Sequence, residues 1–266
     1  MELQDLLFSK EGSVGVITLN NPERMNALSP GISEGLPRLV NELQDDPEVK
    51  VIVVTGAGRA FCSGANVGGL AARTSGEQTE RPRVRLPHPE TGYGRAFIQC
   101  EMPVIGAING YAVGAGFGLA LSCDIRIASE NAQFFVAQTR MGRRPDGGLN
   151  FLLPRIVGVQ TALQLMWTAD RVNAEEALRL GLVSKVVPAE DLMASTMELA
   201  ERIAKGPSVA QRLAKRMVYK SMYPEGDQIA ASEMEFYSGM LVDMTEDAKE
   251  GPRAFLEKRE PVFKGR

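Results

Sequence analysis

The chain has 266 residues, 44% of them apolar, enough to bury one large core or a core with a small appendage. A formal charge of -3 gives no strong field for nucleic acid or an anionic membrane, so an anionic partner has to be caught locally. The three cysteines, Cys62, Cys100 and Cys123, form no CxxC pair and no ligand cluster with the lone His88, which argues against a metal site and fits a reducing compartment.

Met1 to Asp5 carries no basic region followed by a long apolar run, and no apolar stretch is long enough for a bilayer. The expectation is a cytoplasmic protein with no membrane or nucleic-acid partner. Val14 to Leu19 predicts a strand, turned by Asn20-Asn21-Pro22. Ser29-Pro30 has the form of an N-cap with proline at the first helical position. The helix that follows, about Gly31 to Gln44, places Ile32, Leu36, Leu39, Val40 and Leu43 on one face. Lys50 to Thr55 predicts a strand covered on both faces, because it is nearly all apolar. Ala71 to about Gly94 is polar and aperiodic and predicts a long loop.

Val104 to Ile108 predicts a third strand, followed by an Asn109-Gly110 turn. The glycine-rich run Gly114 to Gly118 opens an apolar helix ending near Cys123. Asp124 to Ala128 and Gln133 to Val136 predict further strands. Helices dominate after about Gly147, apart from a late strand at Leu182 to Val187, and Pro188-Ala189-Glu190 restarts a helix. Strands alternating with helices and then helices alone predict an α/β core over residues 1–188 and an α-helical region over 189–266.

Two glycine-rich segments follow buried strands: Gly58 to Asn66 and Gly110 to Gly118. Small residues let backbone N–H groups approach a ligand, and a helix N-terminus offers unpaired donors. If the two converge, they make an oxyanion hole; the plain alternative is that the glycines serve close packing. Gly114 to Gly118 lacks the spacing of a dinucleotide loop, and no phosphate-binding G-x-x-x-x-G-K-[ST] is present.

An ordered series of motifs is more specific. Asn20-Asn21-Pro22-Glu23-Arg24-Met25-Asn26-Ala27-Leu28-Ser29, Ala60-Phe61-Cys62-Ser63-Gly64-Ala65-Asn66, Pro103 through Asp124, Gly181 to Val186 and Phe255-Leu256-Glu257-Lys258-Arg259 together resemble the crotonase (enoyl-CoA hydratase/isomerase) superfamily from about Val14 to Phe263. The resemblance implies a spiral of ββα units with a C-terminal helical region for oligomerisation, as a homotrimer or a hexamer of paired trimers. It implies an acyl-CoA thioester as substrate and no separate cofactor. The two oxyanion donors fall on the N–H groups of Ala65 and Ala115, the latter in place of the middle glycine of a G-G-G run. Ala60, Cys62, Gly64, Gly114, Gly118 and Gln138 line the same ligand by resemblance, and Arg24, Phe236 and Lys258 meet its CoA part.

The departures from the family pattern narrow the chemistry. The two glutamates that hold and activate water in the family's hydratases fall on Gly118 and Gln138. Neither residue is an acid or base near neutral pH. A carboxylate stands instead at Asp146, in Arg143-Arg144-Pro145-Asp146-Gly147-Gly148. Enoyl- and dienoyl-CoA isomerases of the family place an aspartate there, as do its 4-chlorobenzoyl-CoA dehalogenases. One carboxylate suffices to move a double bond, taking a proton at C2 and returning one at C4. The expectation is an isomerase with Asp146 as sole acid/base. Hydrolysis or dehalogenation through Asp146, hydration of an unusual acyl-CoA, and acyl-CoA binding without catalysis are the alternatives. As a purely structural group, Asp146 would be a helix N-cap holding the N–H of Gly148 or Leu149. Arg140, Arg143 and Arg144 form either a solvated basic stretch or a grip on Asp146 or on an acidic acyl group. His88 lies in the polar loop that borders the acyl pocket in the family.

Overall fold

The computed structural model describes residues 4–65, 93–206, 208–222, 240, 243–244, 246–259 and 261–262. Among these, the strands form two sheets. The larger has the order β1-β2-β3-β5-β7-β10, built from Leu6–Glu11 (β1), Val14–Leu19 (β2), Val51–Gly56 (β3), Val104–Ile108 (β5), Ile125–Ser129 (β7) and Lys185–Val187 (β10). Only β1 runs antiparallel to its neighbour. The smaller sheet has the order β4-β6-β8-β9, from Ala60–Cys62 (β4), Tyr111–Val113 (β6), Gln133–Phe135 (β8) and Val172–Asn173 (β9).

Each of β3, β5 and β7 leads directly into a short strand of the second sheet, β4, β6 and β8. Among the described residues, the helices that follow the first two are Tyr93–Gln99 (α2) and Ala115–Ser122 (α3). The long and short strands keep the same relative order in both sheets, which is the geometry of a spiral of ββα units.

Alternation along the strands explains the layering. Ile52 and Val54 point to a core shared with Ile32, Leu36 and Val40 of α1 (Pro30–Asp45) and with Phe117 and Leu119 of α3. Val51 and Val53 point to the opposite face, with Val14, Val16, Ile105 and Ala107. That face is covered by α7 (Leu192–Ala204) through Leu192, Ala200 and Ala204. A strand apolar on both sides therefore has both sides covered, as its composition predicts. The first long helix after residue 188 thus belongs to the layer that closes the sheet.

The remaining helices among the described residues are α4 (Leu149–Val157), α5 (Val159–Thr168), α6 (Ala174–Arg179), α8 (Ser208–Ser221) and α9 (Asp247–Leu256). At the start of α1 the Ser29 hydroxyl accepts from the Ile32 N–H at 3.2 Å, the expected N-cap. The late strand differs from expectation: only Lys185–Val187 is strand. Leu182 and Val183 are apolar because they are buried in a loop, where the Leu182 N–H donates to the Ala177 carbonyl. The expected loop from Ala71 ends earlier than Gly94, since Tyr93 and Gly94 already belong to α2; its residues 71–92 lie outside the described residues. Among the described residues no helix is long and apolar enough to cross a membrane.

Candidate active site

The smaller sheet brings the glycine-rich segments together. β4 runs parallel beside β6, with Cys62 opposite Ala112, and β6 beside β8, with Val113 opposite Phe135. Just past the ends of these three strands come Gly64–Ala65, Gly114–Ala115 and Gln138. Chain segments leaving the C-terminal edge of neighbouring parallel strands form a crevice, the usual place for a ligand in such sheets.

The first two segments touch through glycine alone. Gly64 has φ +82°, and a methyl group on it would lie 2.6 Å from the Val113 carbonyl oxygen and 3.1 Å from the Ala115 nitrogen. The Ala65 N–H meets no acceptor among the described residues, and Ala65 is exposed. Its loop is pinned from the other side, where the Leu28 N–H donates to the Gly64 carbonyl at 2.8 Å. Ala115 is the first residue of α3, so its N–H has no acceptor within the helix, and none stands elsewhere among the described residues. Its backbone is not left-handed, so an alanine fits there without strain.

Behind this crevice the support is polar. The buried Asn26 side chain donates to the carbonyls of Ala57 (2.9 Å) and Ala60 (2.7 Å) and accepts from the Asn21 N–H (2.8 Å). Asn109 donates to the carbonyls of Gly58 (2.9 Å) and Ala60 (3.2 Å) and accepts from the Gly56 N–H (3.2 Å). These two asparagines fix the turn that feeds β4. In the sequence Asn109 marks only the turn before Gly110, and Asn26 only a place in the opening motif. Asn26 adopts φ +54°, a conformation asparagine tolerates. Ala60 and Cys62 are wholly enclosed. The Cys62 carbonyl occupies the place of a Gly116 side chain, and burial pushes its thiol up to about 12, so no thiolate is available near neutral pH.

Asp146 lies in the segment that folds back over the start of α3. The Gln138 Nε2 donates to Asp146 Oδ1 at 3.0 Å, and the Arg144 Nη1 stands 3.7 Å from Oδ2. The side chain is 44% exposed, so the carboxylate is partly open to solvent and not in the core. It does not cap a helix: the N-cap of α4 is Gly148, which no side chain satisfies, and the Leu149 N–H donates to the main-chain carbonyl of Asp146 at 3.3 Å. Next to it, Gly147 (φ +67°) lies so close to Ala115 that a methyl on Gly147 would be 2.9 Å from the Ala115 Cα. Its carbonyl oxygen would be 2.0 Å from a methyl on Gly118. The Asp146–Gly147 backbone therefore fills the space into which a residue-118 side chain would start.

The arginines separate by partner. Arg143 pairs with Asp243 at 2.7 Å, Arg144 faces Asp146, and Arg140 is exposed. Arg24 is exposed on the 3-10 turn Pro22–Arg24, and its carbonyl accepts from the Ser63 hydroxyl at 3.2 Å, so it borders the Gly64–Ala65 loop. α9 docks on the turn that follows Gln138: a methyl on Gly251 would lie 2.0 Å from the Met141 carbonyl oxygen. Lys258 is exposed just beyond the end of that helix. Asn66, His88 and Phe236 lie outside the described residues.

A parallel sheet wound with a smaller one in ββα turns and covered by helices is the crotonase fold. The profile of the enoyl-CoA hydratase/isomerase family matches residues 9–266. A short-chain-enoyl-CoA hydratase of Clostridium acetobutylicum is 36% identical over 260 residues, covering 97% of both chains. A carnitinyl-CoA hydratase structure from Mycobacterium avium superposes with a TM-score of 0.84 at 33% identity, covering 99% of each chain. The structure of a monofunctional enoyl-CoA isomerase from M. smegmatis gives a TM-score of 0.68 at 33% identity over 86% of this chain and 98% of that one. The chain belongs to the enoyl-CoA hydratase/isomerase family of the crotonase superfamily.

Proposed function

We propose that the chain is an enoyl-CoA isomerase that shifts a double bond from C3 to C2 of an acyl thioester. The observation that carries this reading is the carboxylate inventory of the crevice. Gly118 has no room for a side chain, because the Gly147 carbonyl lies 2.0 Å from where it would begin. Gln138 carries an amide, and among the described residues Asp146 is the carboxylate that stands beside it.

In this reading the thioester oxygen sits between the N–H groups of Ala65 and Ala115. These donors meet the negative charge that develops when C2 loses its proton, an effect worth about 10²–10³ in rate per donor. Asp146 takes the C2 proton, the electron pair moves through C2 and C3, and the C3–C4 π electrons take a proton at C4 from the same carboxyl. Atoms and charge balance with no water consumed. Adding water across C2–C3 needs a second group to hold and activate it, and the hydratase names of several relatives keep that reaction as the second reading.

Arg24 and Lys258, both exposed, supply cations for the CoA phosphates. Assembly into trimers or paired trimers fits Val159 and Trp167, which stand 66% and 73% exposed on one side of α5. A cytoplasmic location follows the composition. Asp146→Asn keeps the shape of the site and removes its base. Turnover of 3-enoyl-CoA thioesters should fall by about 10²–10⁴, with acyl-CoA binding retained. Unchanged turnover in that variant would refute the mechanism.

A further inference from the structure

We propose that Gln138 is the positioning residue for Asp146, aiming the base with a side-chain amide where a second carboxylate would otherwise stand. The proposal rests on the reading of Asp146 as the proton carrier. Gln138 leaves β8 beside Gly114 and is 7% exposed. A methyl on Gly114 would lie 3.2 Å from the Gln138 Oε1, so the amide is packed flat against the entry to α3. Its Nε2 is 3.0 Å from Asp146 Oδ1. A carboxylate only accepts, so the amide nitrogen has to be the atom that faces it, and the orientation of the amide follows from chemistry.

The other end of the amide is the telling feature. Gln138 Oε1 is buried without a hydrogen-bond partner, and the other such side-chain atoms among the described residues are Thr139 Oγ1 and Arg144 Nε. All three lie on the segment that leads to Asp146. An unpaired buried acceptor lowers stability, and an apolar side chain of similar length would remove it. Glutamine at this position is therefore a poor choice for packing and a good one for presenting a neutral N–H to a carboxylate. The bond engages Oδ1. Arg144 Nη1, at 3.7 Å from Oδ2, is beyond hydrogen-bonding range, so Oδ2 keeps its lone pairs for the proton that moves. The docking of α9 against Met141 holds the turn that carries Gln138.

The test compares Gln138→Met, similar in length but without the N–H, and Gln138→Glu, similar in shape with the donor replaced by oxygen. Each is assayed on a 3-enoyl-CoA thioester alongside Asp146→Asn and the double variant Gln138→Met/Asp146→Asn. The expected result is a fall in kcat of at least about tenfold in both single variants, with KM changed by less than about threefold. The melting temperature of Gln138→Met should not fall, and the double variant should be no slower than Asp146→Asn alone. An unchanged kcat, or losses that multiply in the double variant, would overturn the role of Gln138 while leaving Asp146 in place. Parental turnover in Asp146→Asn would overturn both.

Discussion

Gly118→Ala is the smallest change that probes how the site is built. The added carbon would start 2.0 Å from the Gly147 carbonyl oxygen, 2.8 Å from its carbonyl carbon and 3.3 Å from its Cα. Carbon and oxygen make comfortable contact near 3.3–3.6 Å, so one side must give by roughly 1 Å or more. α3 is buried along its whole length, whereas the Asp146–Gly147 segment is only partly buried, so the segment should move. A displacement of roughly 1 Å in a reacting group costs about 10²-fold in rate, or about 2.7 kcal/mol of activation free energy. Stability should change less: alanine in place of glycine favours the helix by roughly 1 kcal/mol, against roughly 1–3 kcal/mol of overpacking. Steady-state kinetics on a 3-enoyl-CoA, with a thermal melt on the same sample, should give a kcat reduced by about two orders of magnitude in a folded protein. A Gly118→Ala enzyme within about threefold of the parent would refute the claim that this glycine exists to seat the Asp146 loop.

Two further predictions concern the scaffold. Lys215 is nearly buried, bonded to Asp124 at 2.7 Å and to the carbonyls of Phe97 and Met102 at 2.8 Å each. Desolvation is the largest influence on Asp124 and raises its carboxyl above the ordinary range, Lys215 opposing it, so Lys215→Met should strand a buried carboxylate and cost about 3–5 kcal/mol in a denaturant melt. Glu250 is held down to about 2, chiefly by Arg259 and then by the Val262 N–H, with Arg253 also contributing. Because its folded value is depressed, its contribution is present above the ordinary glutamate range and is lost as pH falls towards about 2. The parent should lose more melting temperature than Glu250→Gln between those limits, and parallel curves would refute the assignment.

Much of this architecture is readable from residue order. Ser29-Pro30 announces α1, and the spacing of Ile32, Leu36, Leu39, Val40 and Leu43 gives the face that is buried. The uniform apolarity of Val51 to Val54 gives a strand with two covered faces. Other parts leave little trace. β4 and β6 are three residues each, too short for a period to register, yet their pairing sets Gly64 against Ala115. β1 buries only Leu6 and lies at an edge, so it shows no alternation. Leu182 and Val183 read as strand because burial in a loop leaves the same apolar signal as burial in a sheet.

The candidate site divides in the same way. Its glycines and Asp146 stand out in the sequence, because missing side chains and a displaced carboxylate are visible as letters. The Gln138–Asp146 hydrogen bond and the contact of Gly147 with Gly118 are not visible, since they depend on a loop folding back over a helix. The two supporting asparagines are hidden for a related reason: their partners are carbonyl groups, which every residue carries.

The most direct test of the central claim is to run the reaction on a 3-enoyl-CoA in heavy-oxygen water and weigh the first product. Isomerisation by a lone carboxylate predicts a 2-enoyl thioester of unchanged mass, with no solvent oxygen in it. A first-formed 3-hydroxyacyl or free-acid product carrying the heavy isotope would contradict it.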